Sequence, residues 1–372
     1  MRGGAERRRC CENLHTSAPV AVRLAANVLR PALTVLLLAL ALCCSLPSAA
    51  AAERPDPGST KTFSFESGGA TYPYIVYTPT TYRRSDPAPL VVMTHGCQTT
   101  AEQQMRANLY NRVAERHGFV VLYPDVTEAH AEQPGPLSRC WQFFNSESWH
   151  HGQGDAAAIA GMTETVMADR SIDPQRVYMV GMSAGSFMTS IMAAAYPRLF
   201  AAVAINAGGA YSDFTCIGTD AASLPASVSA QRAFEESGEH ARVIPRLVMG
   251  GDSDQGIPPA CATKALEQGL RTNNLILSGT QTGPISLEPS SVRTVETPGR
   301  YDSTVSSYRD PDGCLIGRRW LFAGMNHFWP GGSRNPELAG FTDPKAPNGA
   351  RISWRFLSRY TKRESRMPCA TG

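Results

Sequence analysis

From about residue 74 onward, short apolar runs alternate with longer segments of mixed polarity. The runs YIVYTP (74–79), PLVVMTHG (89–96), FVVLYPD (119–125), RVYMVG (176–181), AAVAINAGG (201–209) and VIPRLVMGG (243–251) have strand length. Most are apolar without interruption, the pattern of strands covered on both faces. Between them, AEQQMRANLYNRVAERHG (101–118) repeats its apolar positions at helical spacing and stops at Gly118. Asp155 reads as the N-cap of a helix running to about Ala168, and residues 184–197 as a third helix ended by Pro197. Strands alternating with helices predict an α/β fold, with a mostly parallel central sheet and helices on both faces. From about Thr272 to Arg319 the pattern changes. Ser, Thr, Gly and Pro accumulate, and the later part reads as short antiparallel strands.

The first fifty or so residues follow another logic. Six arginines precede the apolar run LTVLLLALAL (33–42), and the small residues of SLPSAAAAE follow it. Basic flank, short apolar core and small-residue exit predict a secretory signal over residues 1–52. Its apolar run is shorter than the roughly 20 residues a spanning helix needs, so no stable membrane insertion is expected once it is removed. Leu42 stands where a lipid-attachment signal at Cys43 needs a small residue. Residues 53–372 are then expected to form a single catalytic α/β domain, since no composition shift marks a second one. The expected location is the periplasm or the medium.

Removing such a leader changes the charge and the cysteine count. The chain carries a formal net charge of +3, and residues 1–52 hold six Arg against two Glu, leaving a body near −1. That balance gives no electrostatic reason to expect nucleic acid as a partner. Of ten cysteines, six lie beyond residue 52. An even number in an exported chain predicts disulfides, and pairing them in chain order gives Cys97–Cys140, Cys216–Cys261 and Cys314–Cys369. No C-x-x-C pair occurs, so zinc-site or thioredoxin-type chemistry is not expected.

The chemistry concentrates at RVYMVGMSAGSFM (176–188), where Ser183 sits between Gly181 and Gly185 as a strand gives way to a helix. A G-x-S-x-G turn in that setting presents a nucleophilic serine. The hydroxyl needs a base, and the base needs an orienting carboxylate. With partners in the order serine, acid, histidine, only His240 and His327 are available as bases. The acid belongs in the loop after a later strand, where Asp252 and Asp254 both stand; after either, only His327 remains. Asp254 is expected to orient His327, and Asp252 to shape the turn. The oxyanion donors are expected to be the amide of Ala184 and that of Cys97 or Gln98, in the loop THGCQTT (94–100). His95 is expected to pack or hydrogen-bond within that loop. Trp141 and Trp329 are candidates to line the substrate cleft.

Taken together, LVVMTHGCQTTAEQ, RVAERHGFVVLYPD, CWQFFN, IDPQRVYMVGMSAGSFM, AAAYPRLFAAVAINAGGAY, GDSDQGIPP and GMNHFWPGG resemble the polyhydroxybutyrate-depolymerase family of secreted esterases. That family is similar to the feruloyl and acetylxylan esterases. The resemblance runs from about Thr62 to Arg359. It implies an α/β-hydrolase fold, no metal or other cofactor, a nucleophile at Ser183 and a base at His327. The family's acid pattern G-x-x-D-x-x-[VI]-P falls on Gly251 to Pro258 and selects Asp254. Cys140-Trp141-Gln142-Phe143-Phe144 departs from the expected Cys-Trp-Asn-Trp-Phe. Polymer-degrading members of that family often carry a linker and a polymer-adsorbing domain; neither is recognised in these residues, so a soluble ester or short oligomer is expected over solid polymer as substrate. An acyltransferase, a serine peptidase or a non-catalytic polymer-binding protein remain alternatives on the same fold.

Overall fold

The computed structural model describes residues 56–217 and 224–362. The expected leader, and Cys369 of the third expected disulfide, lie outside them. Ten strands form one sheet: β1 (Ser59–Ser67), β2 (Ala70–Thr78), β3 (Ala88–Thr94), β4 (Val120–Pro124), β5 (Ile172–Met182), β6 (Ala202–Asn206), β7 (Arg246–Gly251), β8 (Ser291–Val295), β9 (Ser303–Arg309) and β10 (Leu315–Phe322). Their spatial order is β1-β2-β4-β3-β5-β6-β7-β10-β9-β8. The six central strands, β4 to β10, are mutually parallel. An antiparallel pair closes each side, β2 and β1 at one edge, β9 and β8 at the other. The expected mostly parallel sheet is therefore present, and one of its two antiparallel edges, β9 and β8, falls where the sequence pattern changes.

Uninterrupted apolar runs make sense of the centre. Every residue of β3, β4, β6 and β7 is buried. Along β5, Val177 and Met179 point into one apolar layer while Tyr178 and Val180 point into the other. Eight helices are described: α1 (Ala101–Asn108), α2 (Tyr110–His117), α3 (Glu128–Ala131), α4 (Gly154–Asp169), α5 (Ala184–Ala195), α6 (Ala226–Ser237), α7 (Pro259–Ser278) and α8 (Gly349–Leu357). Helices α4 and α5 cover the first layer, and α1, α2 and α8 the second. A third cluster lies between α7 and the β6, β7 and β10 strands.

Two sequence expectations need correction. The helix expected over 101–118 is two helices, because Leu109 adopts a left-handed conformation (φ 63°) and the Asn108 side chain accepts the Tyr110 amide. Gly118 does end the second, with φ 70°. Asp155 is not an N-cap. It lies in the first turn of α4, one per cent exposed, and its carboxylate accepts Tyr72 Oη at 2.8 Å and the Gln142 amide at 2.7 Å. Burial pushes this carboxyl above its ordinary range, although His130, the Gln142 amide, the Tyr72 hydroxyl and His95 all favour the charged form. Cys97–Cys140 and Cys216–Cys261 are both bonded, as pairing in chain order predicts.

Candidate active site

Ser183 joins β5 to α5 with φ 54° and ψ −120°, a conformation costly for any residue but glycine. The turn holds because its neighbours over-determine it. The Ser183 amide donates to Asn206 O (3.0 Å), and Ser183 O accepts the Ser186 amide (2.8 Å). Ser186 Oγ exchanges 2.8 Å hydrogen bonds with the backbone of Asn206. The flanking glycines are there for space. A Cβ on Gly181 would stand 2.1 Å from Gly185 O; one on Gly185 would stand 2.5 Å from Thr94 O and 2.6 Å from His95 O. All three obstacles are backbone atoms and cannot turn aside. Gly185→Ala is accordingly expected to destabilise the fold by about 1–3 kcal/mol, the usual cost of overpacking. Urea unfolding checks it, and an unchanged midpoint would show that the elbow has slack.

Three side chains converge at the carboxyl edge of the parallel strands. His327 Nε2 lies 2.9 Å from Ser183 Oγ. His327 Nδ1 lies 2.9 and 3.0 Å from the two carboxylate oxygens of Asp254. The Asp254 side chain is two per cent exposed, whereas His327 is a quarter exposed and open to a substrate. Asp254 Oδ1 also accepts the amides of Gly256 and Ile257, which fixes the carboxylate without help from the imidazole. Asp252 lies apart, accepting the Gly324 amide and Ser253 Oγ, a turn-forming role. His240 sits on the surface beside Glu239.

Sequence reasoning missed the residue that joins the two loops. Asn326 Oδ1 accepts both the Gln255 amide (2.9 Å) and the His327 amide (2.8 Å), tying the Asp254 turn to the histidine loop. Asn206 Nδ2 adds a bond to Phe328 O. The one available signal was position, since Asn326 directly precedes the histidine. Close approach adds two glycines: a Cβ on Gly96 would meet Ser183 Cβ at 3.1 Å, and one on Gly256 would meet the His327 ring at 2.8 Å.

The candidate oxyanion donors divide. The Gln98 amide is committed to Ser138 O at 2.8 Å, so it is corrected out of the set. Gln98 itself adopts a left-handed conformation (φ 60°). The Cys97 amide has no protein acceptor among the described residues, and the Ala184 amide opens α5 at the helix's positive end. Around them the loop is stiff. Cys97–Cys140 ties it to the segment before α4. His95, fully buried, bonds Gly96 O through Nδ1 (2.7 Å) and approaches Asp125 Oδ1 with Nε2 (3.0 Å), a role within the loop. Burial raises the Asp125 carboxyl's pKa. The contact with His95 and the amides of Ala101 and Val126 outweigh that and hold it below the ordinary range.

Neither tryptophan lines an open cleft, which corrects the second expectation about the site. Both are fully buried. Trp141 packs against the His95 ring, 5.3 Å between centroids. Trp329 packs on Tyr110 and donates Nε1 to Asn108 O. The segment carrying Trp141 is drawn inward by its disulfide and by Asp155.

Residues 72–283 match the family described as esterase PHB depolymerase. The chain belongs to that family. It is 32% identical over 251 residues to poly(3-hydroxyalkanoate) depolymerase C of Paucimonas lemoignei, covering 65% of this chain and 55% of that one. Against feruloyl esterase B of Thermothelomyces thermophilus it is 30% identical over 196 residues, 48% of this chain and 64% of the relative. These matches thus span little more than half to just under two thirds of the curated relatives' lengths. Among solved structures, acetyl xylan esterase from Aspergillus awamori superposes with a TM-score of 0.59 at 19% identity, over 81% of this chain and 99% of that one. At that identity the likeness concerns the fold: this is an α/β-hydrolase sheet.

Proposed function

We propose that the protein is a serine esterase that cleaves carboxylic esters through an acyl-enzyme on Ser183. The observation that carries this reading is the continuous chain from Ser183 Oγ to His327 Nε2, and from His327 Nδ1 to the buried Asp254. In it, His327 takes the proton as Ser183 attacks the ester carbonyl, and Asp254 holds the ring with Nδ1 protonated. The amides of Ala184 and Cys97 meet the oxyanion as the tetrahedral intermediate forms. His327 then returns the proton to the departing alcohol. Water, deprotonated by the same imidazole, releases the acyl group. Family membership supports ester hydrolysis. The substrate class we infer is a hydroxyalkanoate oligomer or polymer, a feruloyl ester or an acetyl ester.

Two disulfides fit export to the periplasm or the medium. No helix among the described residues is long and apolar enough to cross a membrane. The test is covalent. A fluorophosphonate is expected to label Ser183 in the folded protein and to abolish hydrolysis of p-nitrophenyl butyrate in proportion to labelling. Folded protein that resists the probe favours a binding protein instead. Hydroxybutyrate oligomers, methyl ferulate and acetylated xylan, assayed side by side, then assign the acyl group.

A further inference from the structure

A polar cavity lies at the other end of the sheet from Ser183. Strand β7 begins at Arg246 and ends at Gly251, just before the Asp254 turn. Its six residues place Arg246 roughly 20 Å of strand from that turn. Arg246 is buried beneath α7, only five per cent exposed. Its two hydrogen bonds both leave from Nη1, to Ala265 O and Gln268 Oε1, each 2.6 Å. Neither acceptor is charged. Buried Nε has no acceptor among the described residues. The Nε–Nη2 edge, the side of a guanidinium that grips an anion with two parallel bonds, therefore carries no hydrogen bond to protein there.

The surroundings increase the positive charge. Arg242 lines the same cavity and donates to Phe200 O. Among the described residues neither arginine has a carboxylate within ion-pairing distance. Burial lowers both guanidinium pKa values to about 10. Lys362 is brought down to about 8, by burial first and then by Arg242, with Asp173 opposing. A buried charge without a counter-charge costs several kcal/mol, and arginine does not escape it by losing its proton near neutral pH.

Gly269 of α7 packs closely against the guanidinium, where a Cβ would stand 2.6 Å from Arg246 Nε and 2.8 Å from its Cζ. The cavity beside this contact is lined by Arg242, Ile244, Gln268 and Thr272. The neighbouring amide of Asn273 is already used, accepting from Ile244 N and donating to Ile244 O. Thr272 Oγ1 is used as well, bonded to Gln268 and Ala230 O. The free hydrogen-bonding capacity is thus mainly that of the cations.

We propose that this cavity, between α6, α7 and the start of β7, binds a small monovalent inorganic anion of chloride size. Arg246 holds it through Nε and Nη2, and Arg242 supplies further positive charge. The anion neutralises the charge of buried Arg246 and stabilises the fold. It takes no part in ester cleavage, so the proposal stands or falls independently of the catalytic reading.

Crystals of the protein grown in bromide should give an anomalous peak within hydrogen-bonding reach of Arg246 Nε. In solution, sodium chloride replacing sodium gluconate at constant ionic strength should raise Tm saturably, by roughly 2 °C or more at concentrations well above Kd. The rise should vanish in Gly269→Ala, whose Cβ would push the Arg246 guanidinium out of place while both arginines are kept, and in Arg246→Met if that variant folds. No bromide at this position, a wild-type Tm indifferent to the anion, or an undiminished rise in Gly269→Ala would each overturn the proposal.

Discussion

Alanine at Ser183, or at His327, is expected to lower kcat/KM for p-nitrophenyl butyrate by about 10⁶-fold, and the double variant to lose no more than either one alone. The expectation follows from the two atoms 2.9 Å apart. A serine hydroxyl without its base is a poor nucleophile, and an imidazole without the serine has nothing to activate. Each residue's contribution therefore exists only in the presence of the other. What survives in the double variant, about 10³–10⁴ over water, is what the oxyanion donors and binding supply. The fold should be indifferent to both changes: Ser183 Oγ has His327 as its hydrogen-bond partner, and His327 is a quarter exposed. Steady-state kinetics with urea unfolding as the control checks this. Losses that multiply in the double variant would mean that the two residues act separately, and the reading of the site would fail.

The elbow was legible because its cause is local. Glycines two residues either side of a serine, between an apolar run and a helix, reflect a packing problem that only missing Cβ atoms solve, and the contacts at Gly181 and Gly185 state that problem in distances. Chain order likewise leaves a single histidine after the aspartate turn. What the sequence could not show depends on partners far away in the chain. The α7 segment contains Gly269, Asn273 and Asn274, poor helix formers in isolation. They are tolerated because Asn273 bonds Ile244 and Asn274 bonds the Ile285 backbone, while Gly269 makes room for Arg246. Strand β1 has no apolar run, since seven of its nine positions are at least partly solvent-facing polar residues at a sheet edge; it is a strand through its full-length pairing with β2. Helix 101–118 kept its period through Leu109, and periodicity does not register one left-handed residue. The tryptophans illustrate the remaining gap. Standing two residues from His327 says nothing about which way the Trp329 side chain turns, Trp141 lacks even that signal, and both turned into the core.

The division of labour between the two aspartates follows from hydrogen bonds that the sequence alone leaves open. Asp254→Asn is expected to cost about 10⁴ in kcat with little change in unfolding midpoint, the size seen when the orienting acid of such a triad becomes an amide. Asp254 Oδ1 accepts the Gly256 and Ile257 amides, so in the variant the carboxamide oxygen takes that position and the NH₂ group takes that of Oδ2. That NH₂ then points at His327 Nδ1, 2.9 Å away in the native protein. Two donors cannot share the contact, so Nδ1 must become the acceptor and the ring proton must move to Nε2. An imidazole protonated at Nε2 cannot take the proton of Ser183. Asp252→Asn provides the contrast, because its carbonyl oxygen can still accept the Gly324 amide; near-native kcat is expected. Should Asp252→Asn be the crippled variant and Asp254→Asn the active one, the acid has been misassigned, and the hydrogen bonds at Asp254 serve only to shape the turn.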